Sequence, residues 1–255
     1  MVTNFRHQEI IEIARNEGRV TVEELAERFD VTPQTIRRDL GELCAEGALS
    51  RVHGGAVLVS GRANIGYETR RGMAEDQKRA IGQICAQAIP NDCSLFINIG
   101  TTTEAVAEQL LDHRGLMAIT NNLNVANILA QNPDCEVVVA GGLLRRSDGG
   151  LVGEATEDFF QRFKVDYAII GASALDEDGA LMDFDMREVR VAQSIIANAR
   201  QTWLVADATK FARSAPVRIA GMGELDGFFT DTAPPDPVRE ICDRHGVVLQ
   251  VATEK

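Results

Sequence analysis

The chain has 255 residues, 45% of them hydrophobic and 25% charged, enough for one large domain or for a small and a medium one, and no apolar run has the length of a membrane span. A formal net charge of −12 excludes a protein that coats nucleic acid indiscriminately. The five cysteines, Cys44, Cys85, Cys93, Cys135 and Cys242, are widely spaced with no CxxC, and no signal-type apolar stretch opens the sequence; the expectation is free thiols in a cytoplasmic protein, with no disulfide frame, metal site, cofactor or membrane partner.

Residues 5–16 have the period of a helix, with Ile10, Ile11 and Ala14 on its apolar side and Gly18 as its stop. Arg19, Val20 and Thr21 read as a short extended stretch. Thr21 and Glu24 form a capping box ahead of an apolar stripe of Val22, Leu25, Ala26 and Phe29, so a second helix packs on the first. Asp30 and Val31 turn the chain into a third helix. There Thr32 is the N-cap, Pro33 takes the first helical position, where its missing N–H costs nothing, and Gly47 ends the helix. Ile36, Leu40 and Leu43 share one face. Gln34, Thr35, Arg38 and Glu42 project from the other, with Arg37 on its flank. Gln can pair with adenine, Arg with both acceptors of guanine, and the Thr methyl with thymine, so this face suits a DNA major groove, although an ordinary solvated helix face reads the same way in isolation.

Two short helices joined by so tight a turn form a helix-turn-helix. The β-prone runs 48–52 and 56–59 flank His53-Gly54-Gly55 and add a hairpin, which completes a winged helix-turn-helix over residues 1–57. Arg51 and His53 on the wing are placed over phosphates, His53 suiting a plain turn equally well, and Arg6 is a third candidate backbone contact. This segment holds seven Arg, no Lys and ten acids. Such a balance predicts modest binding outside the proper DNA site and a need for dimerisation. Arg6-His7, the string 31–40 and Arg51-Val52-His53-Gly54-Gly55-Ala56 resemble the DNA-binding domain of the DeoR family of bacterial repressors.

Residues 58–73 are read as a linker, small and polar at first, with a connecting helix starting near Glu68. Over residues 74–255, apolar strand candidates at 94–99, 117–120, 136–140, 166–171, 202–207, 227–231 and 247–251 alternate with helical patterns at 77–89, 103–111, 125–131, 156–163, 186–199 and 237–245. That alternation predicts an α/β domain with a largely parallel sheet, whose ligand lies at the carboxyl ends of the strands. The first such end, Asn98 to Thr103, offers Gly100 for the turn, the Thr101 and Thr102 hydroxyls and a helix N-terminus. This is a phosphate cradle or, equally, an ordinary capped turn. Asn121, Gly142 with Arg145, and Asp207 with Lys210 stand at further strand ends: Lys210 could neutralise an anion and Asp207 accept from a hydroxyl.

The segments 95–102, 120–127, 148–156 and 188–190, with Asp207 and Lys210-Phe211, are similar to the sensor domain of the same family. The resemblance implies a fold like that of ribose-5-phosphate isomerase, adapted to sense a phosphorylated metabolite, glycerol 3-phosphate first among them. Asn98 stands where the family pattern has an acidic residue. The reading that follows is a repressor of glycerol metabolism genes, a homo-oligomer (dimer or tetramer) that binds operator double-stranded DNA and is released by its effector. The alternative is a sugar-phosphate isomerase carrying a DNA-binding domain, with Glu188, Asp207 and Lys210 as acid, base and electrophile.

Overall fold

The apolar stripes of the first helices are what assemble the N-terminal unit. The computed structural model describes residues 2–17, 19–45, 49–52, 54–58 and 66–252, and divides into two units, Met1–Met73 and Ala74–Lys255. In the first, helix α1 (Val2–Glu17), strand β1 (Arg19–Thr21), helices α2 (Val22–Arg28) and α3 (Pro33–Ala45) and strands β2 (Leu49–Val52) and β3 (Gly55–Leu58) follow in order, then α4 (Tyr67–Gly72). Ile10, Ala14, Val22, Leu25, Ile36, Leu40 and Leu43 pack into one core. Ile11 and Phe29 only flank it.

Thr21 caps α2, accepting from the Glu24 N–H at 3.2 Å, while its hydroxyl donates to the Glu24 carboxylate at 2.7 Å. Asp30 adopts a left-handed φ of 51° in the turn before α3, a conformation that Asp tolerates better than most residues. The stretch expected only to be extended is the third strand of the wing: β1 pairs with β3 in the order β1-β3-β2. Gly55 makes that pairing possible, because a Cβ there would lie 1.9 Å from the Val20 carbonyl oxygen. Gly18, Gly47, His53 and linker residues 59–65 lie outside the described residues.

In the second unit, α5 (Glu75–Ala88), β4 (Ser94–Ile97), α6 (Thr101–Glu108), β5 (Leu116–Thr120), α7 (Leu123–Leu129) and β6 (Cys135–Val139) lead to a hairpin of β7 (Leu143–Arg145) and β8 (Gly150–Val152). Then come α8 (Glu154–Phe160), β9 (Val165–Ile170), β10 (Ala174–Leu175), β11 (Ala180–Asp183), α9 (Met186–Ala197), β12 (Ala199–Val205), β13 (Val217–Gly221), β14 (Gly227–Thr230), α10 (Asp236–His245) and β15 (Val248–Val251). Seven strands form one sheet in the order β15-β14-β12-β9-β4-β5-β6, each neighbouring pair parallel.

Alternate strand residues face opposite layers. Leu95 and Ile97 join Ile81, Cys85, Val106 and Val125 on one side. Phe96 joins Phe160, Val189, Ile195 and Val238 on the other. The chain winds from β4 to β5 and β6 in one direction, then returns to β9 and β12 on the other side of β4. The reversal between β4 and β9 is the sheet's topological switch point, the place at the carboxyl edge where open α/β sheets generally bind ligands. A smaller antiparallel sheet has the order β10-β11-β13.

Candidate functional site

On α3 the cap expected at Thr32 is present: its Oγ1 accepts from the Thr35 N–H at 3.3 Å and shares a hydrogen bond with Thr35 Oγ1 at 2.9 Å. Gln34, Arg37 and Arg38 are exposed. Arg38 Nε donates to Glu42 Oε1 at 2.9 Å, one turn along. A surface pair of this kind contributes about 0.3–0.5 kcal/mol, too little to keep Arg38 from a better acceptor. Arg51 reaches from the wing to α3, with Nη1 3.8 Å from where a Cβ on Gly41 would stand. Arg51 thus lies against α3, one turn from Arg37 and Arg38.

Arg6 is placed differently from a simple phosphate contact. Its Nε donates to Asp39 Oδ2 at 2.5 Å and its Nη2 to Asp39 Oδ1 at 3.0 Å, tying α1 to α3. Asp39 is buried on the same stripe as Ile36, Leu40 and Leu43.

In the second unit, the segment Asn98–Thr103 lies at the switch point. Gly171, just past β9, is so close that a Cβ there would be 3.7 Å from the Ile99 carbonyl oxygen and 3.8 Å from Thr103 Cγ2. Gly100 precedes α6, and Thr101 and Thr102 are buried in its first turn. The Thr103 hydroxyl is spent locally, on the Asn98 and Gly100 carbonyls at 2.7 and 2.8 Å. Asn98 Oδ1 accepts the Ile99 N–H at 2.7 Å.

Sequence reasoning missed Lys78. It is 4% exposed, in the first turn of α5. Helices α5 and α6 touch through backbone, since a Cβ on Gly82 would be 2.5 Å from the Ala105 carbonyl oxygen. Both helices flank β4 by short connections and so run the same way, antiparallel to it. One turn before that contact come Lys78 on α5 and Thr101 on α6, both at the carboxyl edge of the sheet. At the end of β12, buried Asp207 accepts from the Thr209 N–H at 3.1 Å and from its hydroxyl. Burial works against the charge of Asp207, yet Lys210 foremost, then the Thr209 hydrogen bond, Arg213 and Lys78, hold its carboxyl below the usual carboxylate range. Three cations, Lys210, Arg213 and Lys78, thus act on this one buried carboxylate at the carboxyl edge of the sheet.

A second polar group involves the β7–β8 hairpin. Asn121 is fully buried, with Nδ2 donating to the Leu151 carbonyl at 3.0 Å. Asn122 and Asn124 both donate to Glu104 Oε1 at 3.0 Å. Gly142 sits where a Cβ would be 2.0 Å from Thr156 Oγ1. Arg145 donates to both Asp148 oxygens at 2.9 and 2.7 Å and reaches Glu188 at 2.5 Å. Its guanidinium is therefore already among carboxylates. Burial, and then Asp183, push the Glu188 carboxyl up to about 8 against the pull of Arg145. Ser173 donates to Asp183 at 2.7 Å. Glu188 thus belongs with Arg145, and Asp207 with Lys210, in separate clusters.

The DeoR-like helix-turn-helix domain matches residues 6–62, and the DeoR C terminal sensor domain matches residues 73–232. The glycerol-3-phosphate regulon repressor of Escherichia coli (strain K12) is 45% identical over 246 residues, covering 96% of this chain and 98% of that protein. Its counterpart in Haemophilus influenzae is 47% identical over 234 residues, covering 92% and 91%. A ribose 5 phosphate isomerase A from Neisseria gonorrhoeae is a distant structural likeness, with a TM-score of 0.39, 13% identity and 53% of each chain covered. With both of its domains matched in order, the chain belongs to the DeoR family of transcriptional regulators.

Proposed function

We propose that the chain is a repressor of glycerol and glycerol 3-phosphate metabolism genes that leaves its operator when glycerol 3-phosphate binds. The observation that carries the effector half is the position of Gly100, Thr101 and Thr102 at the switch point, with buried Lys78 in the neighbouring first turn. In this reading the phosphate meets the α6 N–H groups, the Thr101 and Thr102 hydroxyls, Lys78 and Lys210. Asn98, Asn121, Gly142, Arg145 and Asp207 line the remainder, Asp207 accepting from a hydroxyl. Gln34, Thr35, Arg37 and Arg38 read the operator. Arg51, His53 and the remaining donors of Arg6 hold phosphates.

Residues 58–73 serve as the linker between domains 1–57 and 74–255. A homo-oligomer, dimer or tetramer, pairs two winged domains with the halves of a palindrome in the cytoplasm. The naming of its relatives as repressors supports regulation over isomerisation. Glycerol 3-phosphate also has no carbonyl for an isomerase to use. Effector binding releases DNA to the extent that the effector prefers the DNA-incompetent arrangement.

The test is a mobility-shift titration of full-length protein on a duplex selected from a random pool. Glycerol 3-phosphate should release the duplex, whereas glycerol and ribose 5-phosphate should not. Retention of the complex at saturating glycerol 3-phosphate would overturn the assignment of effector.

A further inference from the structure

His7 lies between the first helix and the recognition helix, and its place there is unusual. Its side chain is 12% exposed, and Nε2 is a buried atom with no hydrogen-bond partner. Two carboxylates of α3 lie near it: Asp39 Oδ1 at 3.5 Å and Glu42 Oε2 at 3.7 Å. Neither contact is a good hydrogen bond as it stands. Asp39 is already held by Arg6 from α1, and the other oxygen of Glu42 accepts from Arg38, which is 80% exposed on the operator-facing side. Of the strands packed on α1, β1 carries Arg19, and β3 has no ionisable side chain.

With His7 neutral, Arg6, Asp39, Glu42 and Arg38 sum to zero formal charge. A proton on His7 gives the group a charge of +1. It also turns two long contacts with carboxylates into charge-assisted ones, which draws α3 onto α1 and relieves Glu42 of part of its hold on Arg38.

We propose that His7 is a positioning residue for the recognition helix, and that its protonation strengthens operator binding. The inference rests on the reading that α3 contacts DNA. It makes the repressor a sensor of acidity at its DNA-binding end, separate from the effector site. DNA, being a polyanion, favours the charged form of His7. If DNA raises the affinity of His7 for its proton by tenfold, operator affinity rises about tenfold from high to low pH. The added charge also steepens the log–log salt dependence by about 0.9.

The experiment is fluorescence anisotropy of full-length protein on the selected duplex from pH 5.5 to 8.5, at two salt concentrations. Wild type, His7→Gln, His53→Gln and Arg38→Ala are compared, each checked for folding by thermal melting. The expected result is a rise in affinity toward acid in wild type and His53→Gln that is about tenfold smaller in His7→Gln, which meets wild type at pH 8.5; His53→Gln reads any share carried by the wing. Equal pH profiles in wild type and His7→Gln, or loss of the profile in His53→Gln instead, would overturn the proposal. If His7→Gln does not fold, His7→Asn carries the test, because it too removes the titrating ring and must lower the rise toward acid. Unchanged affinity in Arg38→Ala would refute the underlying DNA-contact reading and is distinguishable from failure of the His7 proposal.

Discussion

Lys78→Met separates binding from folding, because the two should move differently. Lys78 is 4% exposed, and Asp207, on which it acts, keeps Lys210 and Arg213 when Lys78 is lost. Met has a similar length and no charge to desolvate. Removing one member of a buried ion pair costs about 3–5 kcal/mol where it strands the other charge, and Asp207 is not stranded here. The melting temperature of the C-terminal domain should therefore fall by no more than a few degrees, and the protein stays folded. Binding should fall clearly. A charge-assisted hydrogen bond to a phosphate contributes about 1.5–3 kcal/mol, so its loss weakens glycerol 3-phosphate by about 10- to 150-fold. Calorimetry of full-length protein with glycerol 3-phosphate, alongside thermal melts, reads both. Wild-type affinity in a folded Lys78→Met protein would refute the placement of Lys78 in the phosphate site.

Arg38→Ala should abolish sequence-specific DNA binding in a shift assay and leave calorimetric effector binding intact. Gly55→Ala forces a Cβ against the Val20 carbonyl and should lower the stability of the winged domain by about 1–3 kcal/mol, seen as an earlier melt of that unit alone. The raised carboxyl of Glu188 gives a pH prediction. Its folded state holds the proton more tightly than the unfolded chain, so its contribution to stability is complete below about 4.5 and is lost as the pH climbs through about 8. Melting temperatures of the C-terminal domain should fall across that window in wild type and fall less in Glu188→Gln. Parallel slopes in the two proteins would remove Glu188 as the cause.

The parallel sheet was legible in sequence because buried strands are written as short Val- and Ile-rich runs, and all seven are present within a few residues of their expected positions. The helix caps were legible for a similar reason, since Thr21 and Thr32 each meet a local backbone requirement, whereas the pairing of β1 with the wing depends on the non-local approach of Val20 to Gly55. The β7–β8 hairpin and the sheet of β10, β11 and β13 were not. These strands have two to five residues, too few for a period, and Leu143 and Leu144 are exposed. Lys78 and Asp39 were not singled out as buried groups. The signal lay in the spacing: Lys78 shares a stripe with Ile81, Gly82 and Cys85, and Asp39 with Ile36, Leu40 and Leu43. A charge at an apolar position of a helix must find a partner inside the fold, or supply one to a ligand.

The contact of Gly82 with Ala105 has a mechanical side. Two helices cushioned by side chains can slide by rotamer changes, so a small push on one is absorbed before it reaches the other. Here backbone rests on backbone, and there is no side chain at Gly82 to yield. A displacement of α6 therefore meets α5 with little side chain between them to take it up. Helix α5 begins at Glu75, two residues after the first unit ends at Met73. In the proposed reading, a ligand on the first turn of α6 would bear on the helix whose first residue follows the end of the first unit.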